Sequence, residues 1–125
     1  MAAGELFSVD DRRQIDTTIR TAEQLSRFEF SAYVGSAVGD PRSFATQLHN
    51  TLVVPQKSLL IMVDPQQRVL EVVTGRTVRE RLPDSDVLAV VAAMQAEFAA
   101  GDLVGGIVRG VSKFAELARR SLPST

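Results

Sequence analysis

Three aspartates stand where loops meet regular elements, and they are the side chains in this chain best placed for chemistry. Asp64 closes the apolar run Leu59-Leu60-Ile61-Met62-Val63 and precedes Pro65. Asp40 lies between Gly39 and Pro41, and Asp84 opens the segment Asp84-Ser85-Asp86. Hard divalent cations take oxygen ligands. Asp40, Asp64 and Asp84 therefore form a candidate site for Ca²⁺ or Mg²⁺, completed by loop carbonyls and water. Each aspartate also has a local job. Asp40 can cap a helix, Asp64 can open a turn, and Asp84 can sit in a first helical turn. No D-x-D-x-D-G loop accompanies them, so the local jobs are the default.

Other groups offer less. Gly35-x-x-x-Gly39-Asp40 has the outline of a phosphate loop, but an acid follows the second glycine where the Walker pattern needs Lys. Arg76, Arg79 and Arg81 cluster after Arg68 and could hold a phosphate or a carboxylate-bearing partner. Glu80, Asp84 and Asp86 lie close enough to pair with them instead. His49, the single histidine, reads as a surface helix residue with no nucleophile motif nearby. Gly105, Gly106 and Gly110 fall inside a helical pattern, where each glycine costs about 1 kcal/mol relative to Ala. They call for close backbone approach. A neighbouring helix of the same chain is the default, and a partner helix on Gly106 and Gly110 is the alternative.

Composition narrows the classes further. A chain of 125 residues with 45% apolar and 23% charged residues reads as one domain, residues 1–125, with 1–7 as a flexible tail. A net charge of −1 gives no field for nucleic acid. The absence of Cys removes disulfides, thiolate metal sites and Cys nucleophiles. The apolar-rich region 87–111 is interrupted by Gln95, Glu97, Asp102 and Arg109, too polar to insert in a membrane. Met1 to Ser8 shows no export signal, so a cytoplasmic location is expected.

The elements that must position these residues follow from periodicity. Ser58 to Val63 does not alternate, which marks a central strand covered on both faces. Phe28 to Val34 alternates with period two and suits a strand near an edge. Between them, Asp40-Pro41 starts a helix whose apolar face is Phe44, Ala45, Leu48 and Leu52. That order requires a crossover and a parallel pair. Asp64-Pro65-Gln66-Gln67 is too short for another crossover, so Arg68 to Thr74 returns antiparallel. An N-terminal helix begins at Ser8, with Ile15, Ile19, Ala22 and Leu25 as its stripe. Residues 76–83 form a charged connector. Two further helices follow, from Asp84 and from Leu103 to Leu122, the latter closed by Pro123. The expected fold is a three-layer α/β/α sandwich with a small mixed sheet and about four helices.

Leu59 to Pro65, Arg68 to Gly75, Leu82-Pro83-Asp84 and the run Phe98-x-x-Gly101-Asp102 to Gly110 resemble the TPM domain family. The likeness is to a small actinobacterial branch within or beside that family, and it extends from Ser8 onward. It implies an α/β/α sandwich. It also implies one of three roles: partner of a membrane or envelope complex, acid phosphatase, or Ca²⁺ binder through loop carboxylates. Envelope association is the alternative location it suggests. With no nucleophile–base pair and no nucleotide loop, a non-catalytic protein-interaction or regulatory module is the leading expectation. A metal-dependent phosphatase-like hydrolase is the second. No cofactor is expected other than Ca²⁺ or Mg²⁺.

Overall fold

The computed structural model describes residues 7–120, and its core is organised by one strand. Ser58–Asp64 (β2) is buried along its whole length. It lies between Glu29–Val34 (β1), which pairs with it in parallel, and Val69–Thr74 (β3), which pairs antiparallel. Leu59, Ile61 and Val63 project to one face of the sheet, and Leu60 and Met62 to the other. A continuous apolar run is what a strand dry on both sides requires.

Helix Val9–Ser26 (α1) opens with a capping box. The Asp11 N–H donates to Ser8 Oγ at 3.0 Å, and the Ser8 N–H donates to the Asp11 carboxylate at 3.1 Å. Ile15 and Ala22 are buried and Ile19 packs on the core, but Leu25 is exposed. Ser26 takes the place expected of Leu25. Its hydroxyl donates to the Ala22 carbonyl and accepts from the Phe28 N–H, which turns the chain into β1. Of the expected tail, residues 1–6 lie outside the described residues, and Phe7 is buried in the core.

Helix Pro41–Asn50 (α2) makes the crossover and covers the Leu60–Met62 face with Phe44, Ala45 and Leu48. The opposite face carries α1 with Asp84–Ala99 (α4) and Leu103–Arg120 (α5). The three expected layers are present. The connector holds a single helical turn, Arg76–Arg79 (α3), whose Val78 is fully buried. The expected extension of α5 to Leu122, and its stop at Pro123, lie outside the described residues.

The Phe98-to-Gly110 run has a backbone explanation. Gly101 sits at φ +90° just past α4, where the Gly101 N–H donates to the Phe98 carbonyl and the Asp102 N–H to the Glu97 carbonyl. These are the two bonds of a Schellman stop. Asp102 then caps α5, accepting from the Gly105 N–H at 2.8 Å. Gly106 and Gly110 are buried against the Phe98 ring and the Met94 thioether, which a Cβ at either position would overlap. The glycines thus serve contact between α4 and α5. The partner-helix alternative for Gly106 and Gly110 gives way to the internal one.

Charged side chains cap groups on both outer rims of the sheet. The outward Phe30 N–H of β1 donates to the Glu23 carboxylate at 3.1 Å. On β3 the Val72 carbonyl accepts from Arg42 at 2.7 Å, and the Thr74 carbonyl accepts from Arg79. Each group so capped is withdrawn from pairing with another strand.

Candidate functional site

The first residues past β1 and β2 meet at one end of the sheet, since the two strands are parallel. Asp64 holds that end together. One of its oxygens accepts from the Ala37 N–H at 2.9 Å and the Gln67 side-chain amide at 2.7 Å. The other accepts from the Gln66 and Gln67 N–H groups, both at 3.1 Å. Gln67 also donates to the Ala37 carbonyl at 3.1 Å, so the β2–β3 turn grips the β1–α2 loop. Asp64 is only 2% exposed. The Ala37 N–H, aided by the Gln67 and Gln66 donors, holds its carboxyl below the usual carboxylate value despite burial. An acid supplied with four donors is a structural staple. A cation there would have to displace those donors.

Asp40 is nearby in topology but has its own task. It caps α2 by accepting from the Ser43 N–H at 2.9 Å, and that bond lowers its pKa. Asp84 is elsewhere. Thr74, the last residue of β3, pairs with Leu59 at the start of β2, so the hairpin returns the chain to the amino end of the sheet. Helix α4 starts there and runs back for 16 residues, about 24 Å. The three aspartates therefore do not gather. Among the described residues no three of His, Asp and Glu come together as a metal-ligand group.

The arginines separate too. Arg81 donates to the Ser26 carbonyl at 3.2 Å, and its guanidinium stands 4.1 Å over the Phe28 ring. Arg79 caps the β3 edge, and Arg76 is exposed. Arg81 ties the connector to α1 and Arg79 ties it to β3, so two of the three guanidinium groups already have partners inside the fold. His49 corrects the surface expectation. It is 5% exposed, and its Nε2–H donates to the Ser58 carbonyl at 2.9 Å, joining α2 to β2. The i, i+4 spacing from Ala45 was the available signal. We expect His49→Ala to cost about 2 kcal/mol, measurable by urea unfolding, through the cavity it leaves and the loss of the α2–β2 link, since the Ser58 carbonyl keeps the Gly75 N–H as a donor.

Two concavities stand out among the described residues. The first, about 510 Å³, lies between α4 and α5. Its apolar floor includes Val90, Met94 and Gly110, and Glu97, Arg109 and Lys113 stand on its rim. Arg109 bridges Glu97 and Asp102, with its NH2 group 2.7 Å from Asp102, and both partners raise its pKa. Beside this groove the outward face of α4 is uncharged and, apart from Gln95, apolar. Leu88 is 67% exposed, with Ala89, Ala92, Ala93 and Ala96 around it and no charge between Asp86 and Glu97. The signal for this face was present in the sequence. Val87 to Met94 is unbroken apolar chain, more than one helical face buries. The second concavity, about 470 Å³, opens beside Asp64 between the β2–β3 hairpin and the α4–α5 corner. Among the described residues, no helix is long and apolar enough to cross a membrane.

The chain is 28% identical over 105 residues to two uncharacterized Mycobacterium tuberculosis proteins, MT2543 of strain CDC 1551 and Rv2468c of strain H37Rv. The match covers 84% of this chain and 63% of each relative, so the chain spans under two thirds of their length. The fold is similar to the solution structure of the BA42 protein from the psychrophilic bacterium Bizionia argentinensis. There the TM-score is 0.86 and the identity 19%, over 96% of this chain and 86% of that one. It is also similar to the N-terminal domain of a P. gingivalis protein. There the TM-score is 0.80 and the identity 21%, over 94% of this chain and 79% of that one. These likenesses show the fold. The family model that matches, over residues 2–115, carries the description domain of unknown function, and to that family, DUF5130, the chain belongs.

Proposed function

We propose that this domain is a non-catalytic protein-interaction module, and that its partner presents an amphipathic helix to the outer face of α4 and the groove beside it. The carrying observation is the uncharged surface around Leu88 and Ala93, which runs into the groove between α4 and α5. Small residues there let a partner backbone approach closely. Strand addition is the main competing mode of peptide recognition. The capped rims at Phe30, Val72 and Thr74 disfavour it. The TPM resemblance supports a partner within a membrane or envelope complex. The four donors on Asp64 weigh against the hydrolase reading, whose central carboxylate it would be.

A photo-crosslinking residue at Leu88, compared with one at Thr46 on the opposite layer, tests the proposal in host cells. The expected result is one partner recovered from position 88 and not from 46. Binding of that purified partner should then fall at least roughly tenfold in Ala93→Arg, the loss of about 1.4 kcal/mol of docking. Equal recovery from both positions overturns the reading. So does hydrolysis of a phosphate ester that Asp64→Asn abolishes.

A further inference from the structure

The second concavity differs in chemistry from the groove on α4. Its walls are Val63, Leu70, Phe98 and Leu103, and its polar groups include Arg68 and Gln95. Its volume of about 470 Å³ falls in the range, roughly 300–1,000 Å³, of pockets that hold small organic molecules. It opens past the carboxyl end of β2, where open α/β sheets commonly receive ligands. Arg68 is held there in the left-handed region at φ +56°, at the tip of the hairpin turn. It is exposed and makes no ion pair among the described residues. Asp64 also lines the cavity, yet it is saturated by the Ala37, Gln66 and Gln67 donors and leaves Arg68 unclaimed.

We propose that this cavity binds a medium-chain aliphatic monocarboxylate, with its chain against Val63, Leu70, Phe98 and Leu103 and its carboxylate on the Arg68 guanidinium. Apolar walls select an alkyl body over a polar one. One cation lining the cavity matches one negative charge, and a guanidinium donates two parallel hydrogen bonds to a carboxylate. Gln95, which also lines the cavity, offers a neutral donor. A dianion such as a phosphate monoester would face the Asp64 carboxylate without a second cation to offset it. A cationic amphiphile would meet Arg68 directly. This site is separate from the α4 face, so either proposal can fail without the other.

The test is an amide NMR titration of the full chain with decanoate, run beside decanol and decyltrimethylammonium. The expected result is saturable shifts at Val63, Leu70 and Leu103 with decanoate, and weaker binding of the alcohol and the ammonium. Arg68→Asn, which tolerates the left-handed conformation, should weaken decanoate roughly tenfold, and Arg68→Lys should recover part of it. Ala99→Phe, at the cavity wall, should block binding with the amide spectrum otherwise kept. Three results overturn the proposal. They are absence of saturable shifts, equal affinity for decanoate and the ammonium, and shifts centred on Leu88 rather than on the cavity.

Discussion

Gly75→Ala should destabilise the domain by about 3 kcal/mol, among the largest effects of any single methyl added to this chain. The residue follows β3, and its N–H donates to the Ser58 carbonyl at 2.9 Å. Its φ is −72°, so conformational freedom is not why glycine is required. Space is the reason. A Cβ would overlap the Pro55 carbonyl oxygen and stand 2.5 Å from that of Gln56. Both obstacles are backbone, in the 3-10 turn Pro55–Lys57 that feeds β2. Neither can rotate away as a side chain can. The segment must move, and the pairing at the start of the central strand moves with it. Gly39→Ala is the control. Its φ is +75° but nothing lies within 4 Å, so only the left-handed penalty of about 1 kcal/mol applies. Urea unfolding of the two variants measures the difference. Equal losses would show that the close approach at Gly75 is not tight.

Asp64→Asn should cost roughly 2–4 kcal/mol, although the shapes are nearly the same. The amide replaces an acceptor oxygen with a donor nitrogen. It must then face either the Ala37 and Gln67 side-chain donors or the turn N–H groups. Each buried donor left unpaired costs about 1–3 kcal/mol. The pH dependence has a definite sign. The folded pKa of Asp64 is lowered, chiefly by the Ala37 N–H, from an ordinary value of 3.8. A depressed folded pKa adds stability that is fully present above the unfolded value. That stability is lost as pH falls below it toward the folded pKa. The gap between wild type and Asp64→Asn should therefore be constant from pH 7 to about pH 5. It should shrink under acid below roughly pH 4. A gap that widens on acidification would contradict the staple.

The layers were legible because each rests on a local pattern. The unbroken run Leu59 to Val63 marks a strand with two dry faces, and the four residues after it permit only a hairpin. Asp40-Pro41 marks a helix start, which the structure places at Pro41. The site was less legible because its partners lie far apart in sequence. Asp64 to Ala37 spans 27 residues, Arg81 to Ser26 spans 55, and neither carries a periodic signal. Reading Asp40, Asp64 and Asp84 as one group required them to share an end of the sheet. The hairpin carries Asp84 to the other end. A polar residue beside an apolar stripe reads as solvent-facing, so that pattern does not reveal that His49 is buried. The Ser58 carbonyl gives it a partner inside. The Thr74-Gly75 ending of the hairpin was visible as a motif, but its cause, the turn at Pro55, was not.

Thermal unfolding with increasing Ca²⁺, on wild type and Asp64→Asn, most directly tests whether the Asp64 carboxylate is closed by its own chain. A ligand at a hundred times its Kd stabilises the folded state by about 2.7 kcal/mol, enough to move Tm by several degrees. The staple predicts a wild-type Tm that does not respond to millimolar Ca²⁺, and a variant that melts lower by the same interval at every concentration. A wild-type Tm that climbs with Ca²⁺ while the variant stays flat would make Asp64 a metal ligand and contradict the account.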